Sequence, residues 1–91
     1  MNNTEEKNIL EKLYNEGLSN LKNNKTKSAI KKFVEILLYR PNHSETLNLL
    51  SITYHKILNY DKALNYINEA IKSKPNEIGF HINLGLSLIH I

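Results

Sequence analysis

Four histidines, His43, His55, His81 and His90, are the residues of this 91-residue chain best suited to metal binding. The chain contains no cysteine and no H-E-x-x-H motif, so two common zinc-binding patterns are absent from the sequence. His81 and His90 are nine residues apart, which places them on roughly opposite sides of one helix. We therefore expect the histidines to be polar surface residues, with no metal site and no cofactor.

Catalytic groups of other kinds are no better represented. No serine stands in a motif typical of a nucleophile, and no base accompanies one at a recognisable spacing. The three glycines, Gly17, Gly79 and Gly85, are scattered and cannot form a phosphate-binding loop. The sequence therefore predicts a protein that is not an enzyme.

The net charge of +3 comes from the first 43 residues, since the remainder is balanced. A loose basic cluster in this part comprises Lys22, Lys25, Lys27, Lys31 and Lys32. Such a cluster could contact phosphate groups. Acidic residues flank it, however, and this pattern is more typical of a solvated basic face. We expect no nucleic-acid partner.

The sequence contains no apolar run of about 18 residues, the length typical of a membrane span. It also lacks the charged start, apolar run and small-residue cleavage site of a secretion signal. These observations predict a cytoplasmic protein without a membrane partner.

Residues 44–77 carry the clearest structural pattern, two apolar stripes at helical spacing. The first comprises Leu47, Leu50, Ser51 and Tyr54, and the second comprises Ala63, Leu64, Ile67, Ala70 and Ile71. Asn59-Tyr60-Asp61 separates the stripes with side chains suited to a turn and a helix cap. Pro75 ends the second stripe because its ring prevents the helix from continuing. The pattern predicts two antiparallel helices joined by a short turn.

Matching residues recur at an interval of 34 on both sides of this stretch. The series are Pro41 and Pro75, Ala29 and Ala63, Leu13 and Leu47, Leu50 and Leu84, and Gly17, Ser51 and Gly85. Five concurring series indicate an internal repeat. Gly17 lowers helix propensity by about 1 kcal/mol relative to alanine, which makes sense if a second helix crosses closely at that point.

The same reading predicts further helices at about residues 5–22 and 27–39, and one that begins near Glu77. Thr26 is the expected cap of the second helix, and Asn42 or Ser44 that of the third. We expect the side of the last helix formed by Leu84, Gly85 and Leu88 to pack on the central repeat.

This combination of period and residue types resembles the tetratricopeptide repeat, whose pattern is W-x2-L-G-x2-Y…A-x3-F…P over 34 residues. The chain has Leu47-x2-Leu50-Ser51-x2-Tyr54, then Ala63-x3-Ile67 and Pro75, with leucine in place of tryptophan and serine in place of glycine. The resemblance extends over about residues 10–91. It implies an all-α right-handed superhelix with two full helix–turn–helix repeats, about 10–43 and 44–77, and a fifth helix from an incomplete third repeat, 78–91.

The resemblance also implies an interaction module, in which the first helices of successive repeats form a concave groove for a peptide or helix of a partner protein. By register, the groove candidates are Tyr14, Leu18, Lys22, Asn48, Ile52, His55, Lys56, Ile82 and Leu86. Family members that bind chaperone tails hold a terminal carboxylate with a clamp of two lysines, two asparagines and one arginine. The clamp is absent here, since its places hold Tyr14, Leu18, Leu49, Gly79 and Asn83.

A structural role is the alternative function. Residues 78–91 contain no Asp, Glu, Lys or Arg, and apolar residues surround the predicted helix. Such a helix is expected to be buried on more than one side. It therefore predicts either a homo-oligomer, most simply a dimer, or packing against further repeats of a longer chain. The self-association candidates are Phe80, Ile82, Leu86, Ile89 and Ile91.

Overall fold

The computed structural model describes residues 3–89, which form five α-helices joined by short turns. They are α1 (Asn3–Lys22), α2 (Thr26–Tyr39), α3 (Ser44–Lys56), α4 (Tyr60–Ser73) and α5 (Ile78–Ile89). Helix α1 packs on α2 and α3 on α4, which gives two helical hairpins, and α5 packs mainly on α4. The predicted all-α helical-repeat architecture is confirmed, and residues 3–89 contain no β-strand.

The turns of the two hairpins have the same backbone geometry. Asn24 (φ 62°) and Leu58 (φ 66°) both adopt the left-handed conformation and are 34 residues apart. The amide of the following residue, Lys25 or Asn59, donates to a carbonyl five residues earlier, at 2.8 and 2.9 Å. Asparagine tolerates this conformation, whereas leucine has a steric cost of about 1–2 kcal/mol. The hairpin geometry is thus retained even where the turn residue does not favour it.

The two helices of each hairpin approach each other closely at a small residue. A Cβ atom built on Gly17 would lie 2.5 Å from Cε1 of Phe33, so α1 and α2 leave no room there for a methyl group. At the equivalent place in the second hairpin, the Ser51 hydroxyl donates to the carbonyl of Ala63 at 2.7 Å. The expectation that a second helix crosses closely at Gly17 is confirmed.

One side of the first helices carries a pair of residues that recurs at the 34-residue interval: Lys12 and Ser19, Thr46 and Thr53, Phe80 and Ser87. The pair is exposed in α1 but buried in α3 and α5. The difference in burial is explained if the side of the helix that carries the pair faces the preceding hairpin. Phe80 of α5 shows this arrangement, since it packs against Leu47 and Ile67 of the second hairpin. Helix α1 has no hairpin before it among the described residues, so its pair meets solvent.

The prediction that Leu84, Gly85 and Leu88 pack on the central repeat is wrong for two of these residues. Leu84 is half-buried against the core, but Gly85 and Leu88 are exposed. No atom lies within 4 Å of a Cβ built on Gly85. Gly85 occupies the place of Gly17 and Ser51, which face the second helix of their own hairpin. Residues 3–89 contain no such helix for α5, which packs through Phe80, Leu84 and Ser87 instead.

The cap of α3 also differs from the prediction. His43 takes the role expected of Asn42 or Ser44, because its Nδ1 atom accepts the backbone N–H of Thr46 at 3.3 Å. The Thr46 hydroxyl lies 2.6 Å from the same nitrogen. Thr26, the expected cap of α2, is that helix's first residue instead. Histidine is not among the residues that usually cap a helix, which are Ser, Thr, Asp and Asn. The residue types therefore favoured the neighbouring Asn42 or Ser44 as the cap.

Glu45 joins the start of α3 to the end of α4. Its carboxylate accepts hydrogen bonds from the Lys74 ammonium at 3.1 Å and from the Ser44 hydroxyl at 3.2 Å. Partial burial by itself would raise the pKa of this carboxyl. Its hydrogen bonds to the backbone, Lys74 and Ser44, together with the Lys74 charge, outweigh burial and lower the pKa. The ionised form of Glu45 is therefore favoured in the folded protein.

The glycines at equivalent places in α1 and α5 give a matched test of the packing. Gly17→Ala is expected to destabilise the fold by about 1–3 kcal/mol, because the new methyl group would overlap the Phe33 ring. Gly85→Ala meets open space, so it should stabilise α5 by up to about 1 kcal/mol through helix propensity. Urea unfolding followed by circular dichroism measures both, and shifts of the same sign would contradict the assigned helix faces.

Glu45→Gln is expected to lower the free energy of unfolding near neutral pH. Because the folded-state pKa lies below the unfolded-state value near 4.5, the stabilisation is complete above that value. It is lost as the pH falls through the folded-state pKa, so the variant and the parent should converge in acid. Urea unfolding at about pH 7 and about pH 3 measures the difference. Glu69→Gln, an exposed carboxylate in the middle of α4, is the control. An equal deficit at both pH values would argue against the charged pair.

Candidate peptide-binding surface

Three of the apolar groove candidates, Leu18, Ile52 and Leu86, lie exposed on the first helices and recur at the 34-residue interval. Leu18 and Ile52 are each 36% exposed, and Leu86 is 55% exposed. On α3, Ile52 follows the fully buried Leu50 by two residues, which turns its side chain to nearly the opposite side of the helix. The packing that buries Leu50 thus presents Ile52 outward. Large apolar side chains held in this way are available to a ligand.

Two predicted groove residues hold neighbouring elements together. Asn48 in α3 accepts a hydrogen bond from the amide of Asn83 in α5 at 2.7 Å. The Lys56 ammonium donates to the side-chain oxygen of Asn24, in the turn of the first hairpin, at 3.3 Å. Both bonds span more than 30 residues of sequence. The first bond links α3 to α5, and the second links the end of α3 to the turn of the first hairpin.

The remaining polar groove candidates have different surroundings. Lys22 is exposed at the end of α1. His55 is half-buried, and its ring centroid lies 5.2 Å from that of Tyr60 with the planes tilted by 58°. Tyr14 is half-buried, with the Phe33 and His43 rings at 6.4 and 6.3 Å in edge-to-face geometry. Burial, and then the Glu45 charge, raise the pKa of Tyr14, so its phenol stays protonated near neutral pH.

A cavity of about 590 Å³ opens between α1, the end of α2 and the start of α3. Tyr14 and Glu45 form part of its wall, and Leu10 and Ile36 supply apolar surface. Arg40 and His43 line its other side. Tyr14 also belongs to the predicted groove by register, so the cavity and the predicted groove share this residue.

The last helix presents an apolar surface without charge. Ile82, Leu86 and Ile89 are 59%, 55% and 75% exposed, in line with their expected places on the outside of α5. Phe80, however, is only 5% exposed and packs against Leu47, Ile67 and Ala70. We therefore correct the self-association surface by removing Phe80.

Two further apolar residues, Ile78 and Leu88, are exposed on the same helix and extend this surface. The predicted contribution of Ile91 lies outside the described residues, as does His90. Ile82 and Leu86 were also groove candidates, so the two predicted surfaces share residues on α5.

Sites of other kinds are poorly supported in the described part of the chain. Between residues 3 and 89 no three His, Asp or Glu side chains come together as metal ligands. Within the same range no helix is long and apolar enough to cross a bilayer. In the basic cluster, Lys32 lies 3.6 Å from a Glu16 oxygen, while Lys25, Lys27 and Lys31 are exposed.

Sequence reasoning missed the cavity and part of its wall. His43 was expected only as a polar surface residue, and Leu10 and Ile36 were not singled out. The helical periodicity gives the face of each residue, but the gap between α1 and α3 depends on how the hairpins stack. The one available signal was that Tyr14 is a groove candidate by register.

No protein-family model and no curated protein sequence matches the chain. Among solved structures, the TPR2B-domain:pHsp70 complex of yeast Sti1 contains a similar chain, with a TM-score of 0.84 and 20% sequence identity. The similarity covers 89% of this chain and 65% of that chain. The helical hairpins, the 34-residue interval and this superposition agree, and the chain has the tetratricopeptide-repeat fold.

Proposed function

We propose that this protein is a non-enzymatic interaction module that binds a peptide or helix of a partner protein across α1, α3 and α5. The observation that carries the proposal is the exposed series Leu18, Ile52 and Leu86, one residue on each first helix. These side chains recur at the 34-residue interval, so a ligand crossing the helices would meet an apolar contact on each. Transfer of this apolar surface out of water would favour binding.

The comparison with yeast Sti1 supports a protein partner, since that TPR2B domain was solved as a complex with pHsp70. Our chain differs at the places of the carboxylate clamp, where it has Tyr14, Leu18 and Leu49 among others. Apolar and aromatic side chains there favour contacts with an apolar part of the ligand. The ligand we propose is therefore an apolar segment within a partner protein.

Ile52→Glu is expected to abolish binding while leaving the helices intact, because it places a charge in the middle of the apolar series at an exposed position. Random peptides displayed on phage can be selected on the parent protein and then tested on the variant. Leu38→Glu is the matched control, since Leu38 lies exposed on α2, outside the proposed surface. Binding that survives Ile52→Glu, or a loss of helicity in that variant by circular dichroism, would contradict the proposed groove.

We further propose self-association through α5 as the second function. The observation that favours it is the uncovered face at Gly85 and Leu88, continued by the exposed Ile89. In both hairpins the equivalent face is covered by a helix. Residues 78–89 contain no Asp, Glu, Lys or Arg, so two copies of α5 could meet across a two-fold axis without charge repulsion.

Ile89→Lys is expected to convert such a dimer to a monomer, because two buried ammonium groups would face each other near the axis. Light scattering at micromolar protein concentration measures the mass of parent and variant. Leu38→Lys adds the same charge at an exposed apolar position of α2 and should leave the dimer intact. A parent protein that is a stable monomer under these conditions would rule out the second function.

A further inference from the structure

We infer that the cavity between α1 and the start of α3 is an anchor site for one uncharged aromatic side chain of the bound segment. The protein nature of the ligand rests on the proposed function. The preference for an aromatic ring rests on the cavity itself.

The aromatic wall is the first argument. Tyr14 and His43 line the cavity, and their rings lie 6.3 Å apart at an interplanar angle of 82°. Tyr14 also contacts the Phe33 ring at 6.4 Å and 62°, but Phe33 is fully buried and not part of the lining. These are edge-to-face arrangements, the geometry that aromatic pairs favour. Leu10 and Ile36 add apolar surface beside the rings. A further ring entering the cavity could extend this array and contact the apolar surface at the same time.

Three polar residues of the lining, Arg40, His43 and Glu45, already have partners, which argues against a charged ligand beside them. Arg40 forms an ion pair with Glu6, and Glu45 is bonded to Lys74. The Nδ1 atom of His43 accepts the backbone N–H at the start of α3. A charged side chain would have to compete with these existing bonds for its partners.

The rim of the cavity is close to electrically neutral. Lys7 and Glu11 stand one helical turn apart on α1 and carry opposite charges, and Asn15 contributes an uncharged amide. The volume of about 590 Å³ lies within the range of about 300–1,000 Å³ typical of ligand sites. It can hold a phenyl or indole ring together with the adjoining backbone.

Amino-acid amides test the ring preference without knowledge of the partner. N-acetyl-phenylalanine amide and N-acetyl-tryptophan amide should cause saturable NMR shifts of the Leu10 and Ile36 methyl groups. N-acetyl-leucine amide and N-acetyl-glutamate amide should bind at least about fivefold more weakly, since they lack the ring contacts. Equal or stronger binding of the leucine or glutamate amide, or no shift at these methyl groups, would overturn the inference.

A pair of exposed asparagines on α1 gives matched variants. Asn15→Phe places a ring at the cavity rim and should weaken binding of the two aromatic amides at least about fivefold, by competing for the site. Asn8→Phe makes the same change outside the cavity lining and should leave binding unchanged. Both positions are exposed, so neither substitution disturbs the core. Equal effects of the two variants would argue against this location.

Ile52→Glu separates this inference from the proposed function. The aromatic amides should bind Ile52→Glu as well as the parent, because Ile52 does not line the cavity. If peptides bind the groove but the aromatic amides do not shift Leu10 and Ile36, the anchor site is wrong and the groove proposal stands. If the aromatic amides bind and no peptide is selected, the groove proposal fails and the ring preference of the cavity is supported.

Discussion

The close approach of two helices at a small residue is the contact on which the rest of this structure depends. In the first hairpin, Gly17 lets the Phe33 ring lie against the backbone of α1, where even a methyl group would overlap it. In the second, the Ser51 hydroxyl replaces that ring contact by a hydrogen bond to the backbone of α4. Both arrangements hold the hairpin tightly enough to bury its apolar stripes, although their chemistry differs.

Tight hairpins leave two other sides of each first helix available. One packs on the preceding hairpin, as Phe80 of α5 does against Leu47 and Ile67. The other remains exposed and carries Leu18, Ile52 or Leu86. A repeat fold of this kind generates an apolar surface because every unit presents the same side in the same direction. The proposed binding surface is therefore a consequence of the repeat, and its specificity depends on what differs between units.

The two ends of the array differ most. At the α1 end, Lys12 and Ser19 provide a polar outer side, and the cavity beside Tyr14 interrupts the apolar surface with a defined site. At the α5 end the large exposed side chains are mostly apolar, with no Asp, Glu, Lys or Arg in α5, and Gly85 has no neighbouring helix among residues 3–89. The proposed anchor site thus lies at one end of the array and the proposed self-association surface at the other.

The sequence by itself determined the helices, their pairing and the 34-residue interval, because these follow from local periodicity and from residues such as Gly17 and Pro75. It also placed Ile52 on an exposed face, since a buried stripe on a helix defines the opposite side. The assignment of Phe80 to the core, of Gly85 to the surface and of His43 to a helix cap was decided only by the tertiary structure. A residue's face can be read from its own helix, but whether that face is covered, and what gap it borders, depends on which helices are present to pack against it.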